Sequence, residues 1–141
     1  LWPIERARAV THAAMAKADI ALPGLDDAQI LTQRDTPEAI CDFYLGLGCR
    51  IVALTLGKNG TMVATREERR LVPAFPVEAV DASGAGDTFD GAFLAEWLRI
   101  GDPFLAARYA NGAAALATLG HGAVAPMPHR VKVENFIAER D

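Results

Sequence analysis

Residues 81–91 read Asp-Ala-Ser-Gly-Ala-Gly-Asp-Thr-Phe-Asp-Gly. This order sets two glycines, a small residue and a carboxylate at the mouth of a helix, because Ala92-Phe93-Leu94-Ala95-Glu96-Trp97-Leu98 directly behind it is strongly helical. A glycine in a helix costs roughly 0.5–1 kcal/mol relative to alanine, and Ser83 alone would cap this one. The glycines call for another reason, and access is the one the pattern offers. Without side chains, the free amides of the first turn can approach an anion closely, at the end where the helix dipole favours negative charge. A phosphate fits that description. Asp87 adds reactivity: it stands beside those amides, in place to accept a proton from a hydroxyl that attacks a phosphoryl group. The plainer alternative is an acidic residue decorating a helix start, where acids are common. The paired glycines and the polar residues around them favour the chemical reading.

Two further stretches carry residues of the same kind. Thr55-Leu56-Gly57-Lys58-Asn59-Gly60 reads as a strand end running into a tight turn with exposed amides, suited to a phosphate or a ribose edge. A plain hairpin turn competes with that reading, because Asn-Gly turns are frequent. Ala110-Asn111-Gly112-Ala113-Ala114-Ala115-Leu116-Ala117 leads into Gly120-His121-Gly122-Ala123. Small residues there allow close approach of another helix or of a flat ring, and helix propensity explains the alanines equally well. Asn111 stands apart, since a mid-helix Asn is unfavourable unless its amide finds a partner. His121 and His129 share no metal-ligand spacing with acids or cysteines and read as ordinary loop residues. The glycines at 84, 86 and 91 do not make the G-x-G-x-x-G of dinucleotide-binding folds, and no P-loop lysine pattern occurs.

The elements that must hold these residues alternate along the chain. Ile4 to Lys17 is alanine-rich and amphipathic, with Pro3 at its start. Asp19 to Pro23 is a short apolar strand ended by proline, and Pro23–Asp27 reads as a loop. Thr36 caps a helix with Pro37 at its first position, running to about Leu45 and closing at Gly46 or Gly48. Arg50 to Leu56 reads as a strand buried on both faces, as in a parallel sheet covered by helices. Asn59-Gly60 between two apolar runs predicts a hairpin turn, with Thr61 to Thr65 returning antiparallel. Arg66-Glu67-Glu68-Arg69-Arg70 reads as a solvated loop. Two helices follow the glycine stretch, Pro103 to about Leu119 capped by Asp102, and Val131 to Arg140. The class is α/β with a mostly parallel sheet, in which ligands gather at the carboxyl ends of the strands. The loops at 23–27, 57–60 and 82–87 all follow strands and could share one crevice.

Composition bounds the rest. The 141 residues, 51% hydrophobic, suffice for one core. A net charge of −4 argues against nucleic-acid binding. No apolar run approaches the roughly 18 residues needed to span a bilayer, and no signal peptide is read, so no membrane partner is expected. Cys41 and Cys49 give no disulfide framework and read as small buried residues in a reducing cytoplasm.

The run Asp81–Gly91 closely resembles the C-terminal signature of the ribokinase-like (PfkB-type) sugar kinases, whose D-x-x-G-A-G-D-x-F pattern holds an anion hole and a catalytic base. The resemblance implies Asp87 as base, with the amides of Gly84, Ala85 and Gly86 stabilising the transferred phosphoryl group. It implies Asp81 and Ser83 as positions beside a monovalent cation, K+ in many members, completed by backbone carbonyls around Ala117, Gly120 and Gly122. Thr55 and Gly57, with Lys58 and Gly60, match a T-x-G-x-x-G segment that lines the ATP site, and Asn111 matches a residue near the adenine. Many members carry N-x-x-E where this chain has Gly24-Leu25-Asp26-Asp27. Glycine replaces the asparagine, and Asp27 falls at the glutamate position, from which it could serve Mg2+ through bound water.

Leu1-Trp2-Pro3 and Leu22–Asp27 look like the 2-dehydro-3-deoxygluconate kinases within that family. The expected protein is an ATP-dependent kinase acting on a primary hydroxyl of a sugar or sugar acid, with fructokinase, ribokinase and nucleoside kinase as alternatives. A nucleotide-binding module without catalysis is the alternative from another class. Residues 1–141 correspond to the C-terminal, nucleotide-binding and catalytic portion of such a domain. The other half would supply the sugar-binding residues and a lid that often forms a homodimer interface. Alone, these residues are expected not to turn over sugar.

Overall fold

The structure, a computed structural model, describes residues 2–141; of the Leu1-Trp2-Pro3 segment, Leu1 lies outside the described residues. The chain forms two compact units, one running up to Gly57 and including Thr61–Leu71, the other comprising Lys58–Gly60 and Val72–Asp141. Among the described residues, buried side chains cluster within each of them.

The first unit holds helices α1 (Ile4–Met15), α2 (Leu25–Thr32) and α3 (Pro37–Leu47) and strands β1 (Ile20–Ala21), β2 (Ile51–Thr55) and β3 (Thr61–Ala64), with β4 (Arg69–Val72) following at its end. The sheet order is β1-β2-β3-β4. β1 pairs with β2 in parallel, Ile20 opposite Ile51, and β2 with β3 antiparallel, Thr55 opposite Thr61. The sheet is therefore mixed, with the expected parallel pairing found between β1 and β2 and the expected antiparallel return at β3. Ile51 to Leu54 are all buried, which matches an apolar run covered on both faces. α3 forms where its ends dictate: Thr36 Oγ1 accepts the Ala39 amide at 3.2 Å, Pro37 opens the first turn, and Gly48 closes the helix at φ 120°. Its inner face sets Ile40, Cys41 and Tyr44 into one cluster with Val52 and Leu54.

Three local expectations change. The stretch after Pro23 is not a loop: Gly24 starts α2, whose Ala28 and Thr32 are buried, and Asp26 and Asp27 occupy its first turn, where the dipole favours acids. Arg69 and Arg70 are not loop residues but open β4; Arg69 pairs with Asp42 of α3 and Arg70 with Glu68 at 2.7 Å. The β2–β3 connection is also wider than a two-residue Asn-Gly turn. Residues 56–60 lie between the paired Thr55 and Thr61, with Gly57–Asn59 in a short 3-10 turn and positive φ at Gly57 and Gly60 rather than at Asn59.

The second unit holds α4 (Ala85–Ile100), α5 (Pro103–Ala117) and α6 (Arg130–Ala138). α4 ends at Gly101 and α5 begins at once, Asp102 Oδ1 accepting the amides of Phe104 and Leu105 at 2.8 and 3.0 Å. Phe89 and Phe93 of α4 stack at 5.9 Å, and α5 presents buried Ala106, Ala107, Ala110, Ala113 and Ala117. Small residues on one helix admit large rings on its neighbour, which is how an alanine-rich helix still buries apolar area. α6 covers Gly112 of α5, where an added Cβ would lie 3.0 Å from Ile137. Glu96 of α4 is 5% exposed and accepts from Arg99 and from Arg130 of α6 at 2.5 and 2.6 Å.

Candidate active site

The glycine turn is built by backbone conformation rather than by the serine cap that the sequence suggests. Gly84, not Ser83, is the N-cap of α4, at φ 72° and ψ 6°, with no side-chain cap bond. These angles are those of the third position of a type II turn, where glycine is the usual residue, and the Ala85 amide closes that turn on the Ala82 carbonyl at 3.1 Å. This corrects one assignment. The Ala85 amide, expected to face the phosphoryl group, already has a partner. The first helical bond is Thr88 N–H to Gly84 O at 2.9 Å, so by helix geometry the Gly86 and Asp87 amides are those left without an intrahelical acceptor.

Gly86 and Asp87 are exposed, and a Cβ at Gly86 would meet nothing within 4 Å. Gly84 differs sharply: a Cβ there would sit 2.8 Å from Ala123 Cβ. The second unit thus presents two open amides with a carboxylate beside them, and one glycine that is obligatory for shape.

Asp81 anchors this turn from below. Its Oδ1 accepts the Ser83 amide at 2.9 Å and its Oδ2 the Gly122 amide at 2.8 Å. The Gly122 amide first, then the Ser83 hydroxyl and amide, hold the Asp81 carboxyl down at about 2, because each bond favours the charged acceptor. Val80 and Asp81 amides both donate to the Thr118 carbonyl at the end of α5. The structure therefore brings Asp81, Ser83 and Gly84 together with the 118–123 stretch, with Asp87 in the first turn of the helix that follows. Asp90 is a residue the sequence reading missed. It is half-buried three positions after Asp87, on the same helical face, and burial, reinforced by the Asp87 charge, pushes its carboxyl up to about 6. The i, i+3 spacing of two acids was the available signal.

Asn111 is 7% exposed and its Nδ2 donates to the carbonyls of Val72 and Pro73, both at 3.1 Å. The unfavourable mid-helix amide does have a partner, but that partner is backbone. These bonds tie α5 to the backbone at Val72 and Pro73. Gly60 meets the same carbonyl: at φ 98° its Cβ would lie 2.2 Å from Val72 O, so close backbone approach already accounts for this glycine. Lys58 and Gly57 are exposed. Thr55 sits in the first unit, its amide donating to Pro23 O at 3.0 Å and its residue bridged to Gly24.

Among the described residues no group of three or more His, Cys, Asp and Glu could hold a metal ion. Asp27 is exposed in the first turn of α2, which fits a single carboxylate acting on a largely hydrated Mg2+ and not a protein cage. Asp81 keeps acceptor capacity beyond its two amide bonds, since a carboxylate offers about four lone-pair sites, and Ser83 is exposed beside it; the pair fits a monovalent cation. No helix among the described residues is long and apolar enough to cross a membrane.

Comparison with known proteins gives a consistent pattern. The family model of pfkB family carbohydrate kinases matches residues 1–130. The ribokinase of Bacillus subtilis (strain 168) is 35% identical over 132 residues, 94% of this chain and 44% of that protein. The 2-dehydro-3-deoxygluconokinase of the same strain is 31% identical over 140 residues, 98% of this chain and 43% of that protein. Among solved structures, a candidate ribokinase II of E. coli in complex with ATP and Mg2+ superposes with a TM-score of 0.88 at 31% identity, covering 96% of this chain and 44% of that one. The chain spans less than half the length of these relatives.

Proposed function

This chain belongs to the pfkB family of carbohydrate kinases and has its ribokinase-like α/β fold, and on that footing we propose that the protein carries the γ-phosphoryl group of ATP to a primary hydroxyl of a sugar or sugar acid. Asp87 accepts the proton of the acceptor hydroxyl as its oxygen attacks phosphorus. The Gly86 and Asp87 amides stabilise charge on the transferred group, and Gly84 and Ala85 shape the turn that presents them. Most of the rate enhancement in such a transfer comes from positioning and charge stabilisation. The observation that carries the reading is the exposed Asp87 carboxylate in a helix first turn that, among the described residues, has no side-chain cap.

Bound nucleotide would bring Mg2+, which shields phosphate charge; the protein donor we assign to it is Asp27, acting through water. Asp81 and Ser83 are assigned to a monovalent cation, K+. Thr55, Gly57 and Lys58 are assigned to the nucleotide on family resemblance. For the acceptor we infer 2-dehydro-3-deoxygluconate, supported by the Leu22–Asp27 segment and by the 31% identical relative of that activity. We further infer that residues 1–141 are the nucleotide-binding and catalytic portion of one kinase domain. A cytoplasmic setting is supported by Cys41 and Cys49, both free and buried.

A coupled ADP assay of the full-length protein over a panel of sugars and sugar acids tests this. The expected result is sugar-dependent ADP release, greatest with 2-dehydro-3-deoxygluconate. Asp87→Asn is expected to lower turnover by about 10²–10⁴-fold, the usual range for loss of a general base, with ATP affinity largely kept. Sugar-dependent turnover that survives Asp87→Asn undiminished would sink the assignment of the base. ATP binding with no ADP release on any acceptor would leave a nucleotide-binding module.

A further inference from the structure

The glycine turn and the segment 119–126 that follows α5 meet through contacts that the proposed chemistry does not itself use. Asp81 joins them across 41 residues, with one oxygen on the Ser83 amide of the turn and the other on Gly122. Behind it, Thr118 O accepts the Val80 and Asp81 amides at 2.8 and 3.1 Å, so the carboxylate is itself held in place. On the other side of the turn, Ala123 occupies the space that Gly84 leaves open, its Cα and carbonyl oxygen each 2.9 Å from where a Cβ would be. A single side chain thus bridges a tight turn to a distant segment, and one residue of that segment fills the notch beside it.

We propose that Asp81 is a positioning residue: by clasping residues 119–126 onto the glycine turn, it fixes the first-turn amides of α4 and the Asp87 carboxylate against the acceptor. The inference rests on the reading of Asp87 as base and extends it, giving Asp81 work that needs no cation. The physical reason is the economy of the turn. Within residues 82–85 one backbone bond, Ala85 to Ala82, defines it, and its conformation depends on a left-handed glycine that has other accessible states. Seated against Ala123 and tied through Asp81, the turn has one arrangement. A displacement of about 1 Å at reacting groups can cost on the order of 10²-fold in rate, so the tie acts on turnover more than on binding.

Amide hydrogen exchange on the unsubstituted protein reads the clasp without reference to activity. The Gly122 amide, although surface-exposed, is expected to be protected, and Asp81→Ala to remove that protection, since no side-chain acceptor is left for it. In the sugar-kinase assay Asp81→Ala is expected to lower kcat by about 10–100-fold at saturating ATP and K+, with KM for ATP changed less than about threefold. Gly84→Ala should show the same pattern, and Gly84→Ala combined with Ala123→Gly should recover part of it by removing the collision. An unprotected Gly122 amide in the unsubstituted protein overturns the clasp whatever the kinetics. A parental kcat in Asp81→Ala overturns it too, and so does a loss that disappears as K+ is raised, which would make Asp81 a cation ligand only. Failure of the underlying assignment looks different: undiminished turnover in Asp87→Asn would leave the Gly122 protection intact.

Discussion

The two glycine-bearing turns, 57–60 and 84–86, each hold one glycine that the backbone requires and one that meets nothing. Gly60 and Gly84 have positive φ, and an added Cβ would fall within 3 Å of backbone atoms, at Val72–Ala74 and at Ala123 respectively. A Cβ at Gly57 or Gly86 would lie in open space, and of these two only Gly57 has positive φ. A motif rich in glycine is therefore not uniformly a ligand cradle. Part of it is joinery, and the part that can face an anion is the part where a side chain would fit but is missing.

That contrast can be broken by substitution. Gly60→Ala should be the most damaging, because strain at positive φ, about 1–2 kcal/mol, adds to an overlap with backbone that cannot move aside. A loss of about 3 kcal/mol or more in urea-unfolding stability is expected, and a loss under about 1 kcal/mol would contradict the close approach of Val72. Gly57→Ala carries the strain alone and should cost about 1–2 kcal/mol by the same measurement.

Asp90→Asn probes the helix rather than the turn, through pH. Asp90 has a raised carboxyl, about 6 against the ordinary 3.8, so its contribution to stability is full below about 3.8 and is lost as pH rises through about 6. The substitution should stabilise the protein above pH 6, with the advantage shrinking to nothing as pH falls below 4. Thermal melts across pH 4–8 would show it, and a pH-independent difference would be the contrary result. Gly86→Ala should do least to stability, unchanged or raised by up to about 1 kcal/mol through helix propensity. Its turnover should nonetheless fall, because the methyl group stands over the open amides. Unaltered kcat would deny Gly86 any part in anion binding.

How much of this was legible depends on distance along the chain. α3 and α5 could be read from Thr36-Pro37 and Asp102-Pro103, because a cap and a first-position proline act within three residues. The antiparallel return at Thr61 was legible from a glycine-bearing break between two apolar runs, although the turn itself is longer than Asn-Gly implied. α2 was not, since Gly24 is a weak cap and what holds that helix is burial of Ala28 and Thr32 by the rest of the first unit. Arg69 and Arg70 looked like solvent residues because charge says nothing about an ion pair with Asp42 across 27 positions.

Within the site, the sequence by itself determined that a glycine-flanked carboxylate opens a helix and that Asn111 needs a partner. Both follow from backbone geometry and hydrogen-bond demand over a few residues. Only the tertiary structure decided that the partner is the Val72–Pro73 backbone, that Ala85's amide is taken, that Gly84 makes room for Ala123, and that Asp81 reaches Gly122. Apart from the Ala85 turn, these are meetings of segments about 40 residues apart. Such meetings are fixed by how helices and turns pack, and a local pattern holds no record of them.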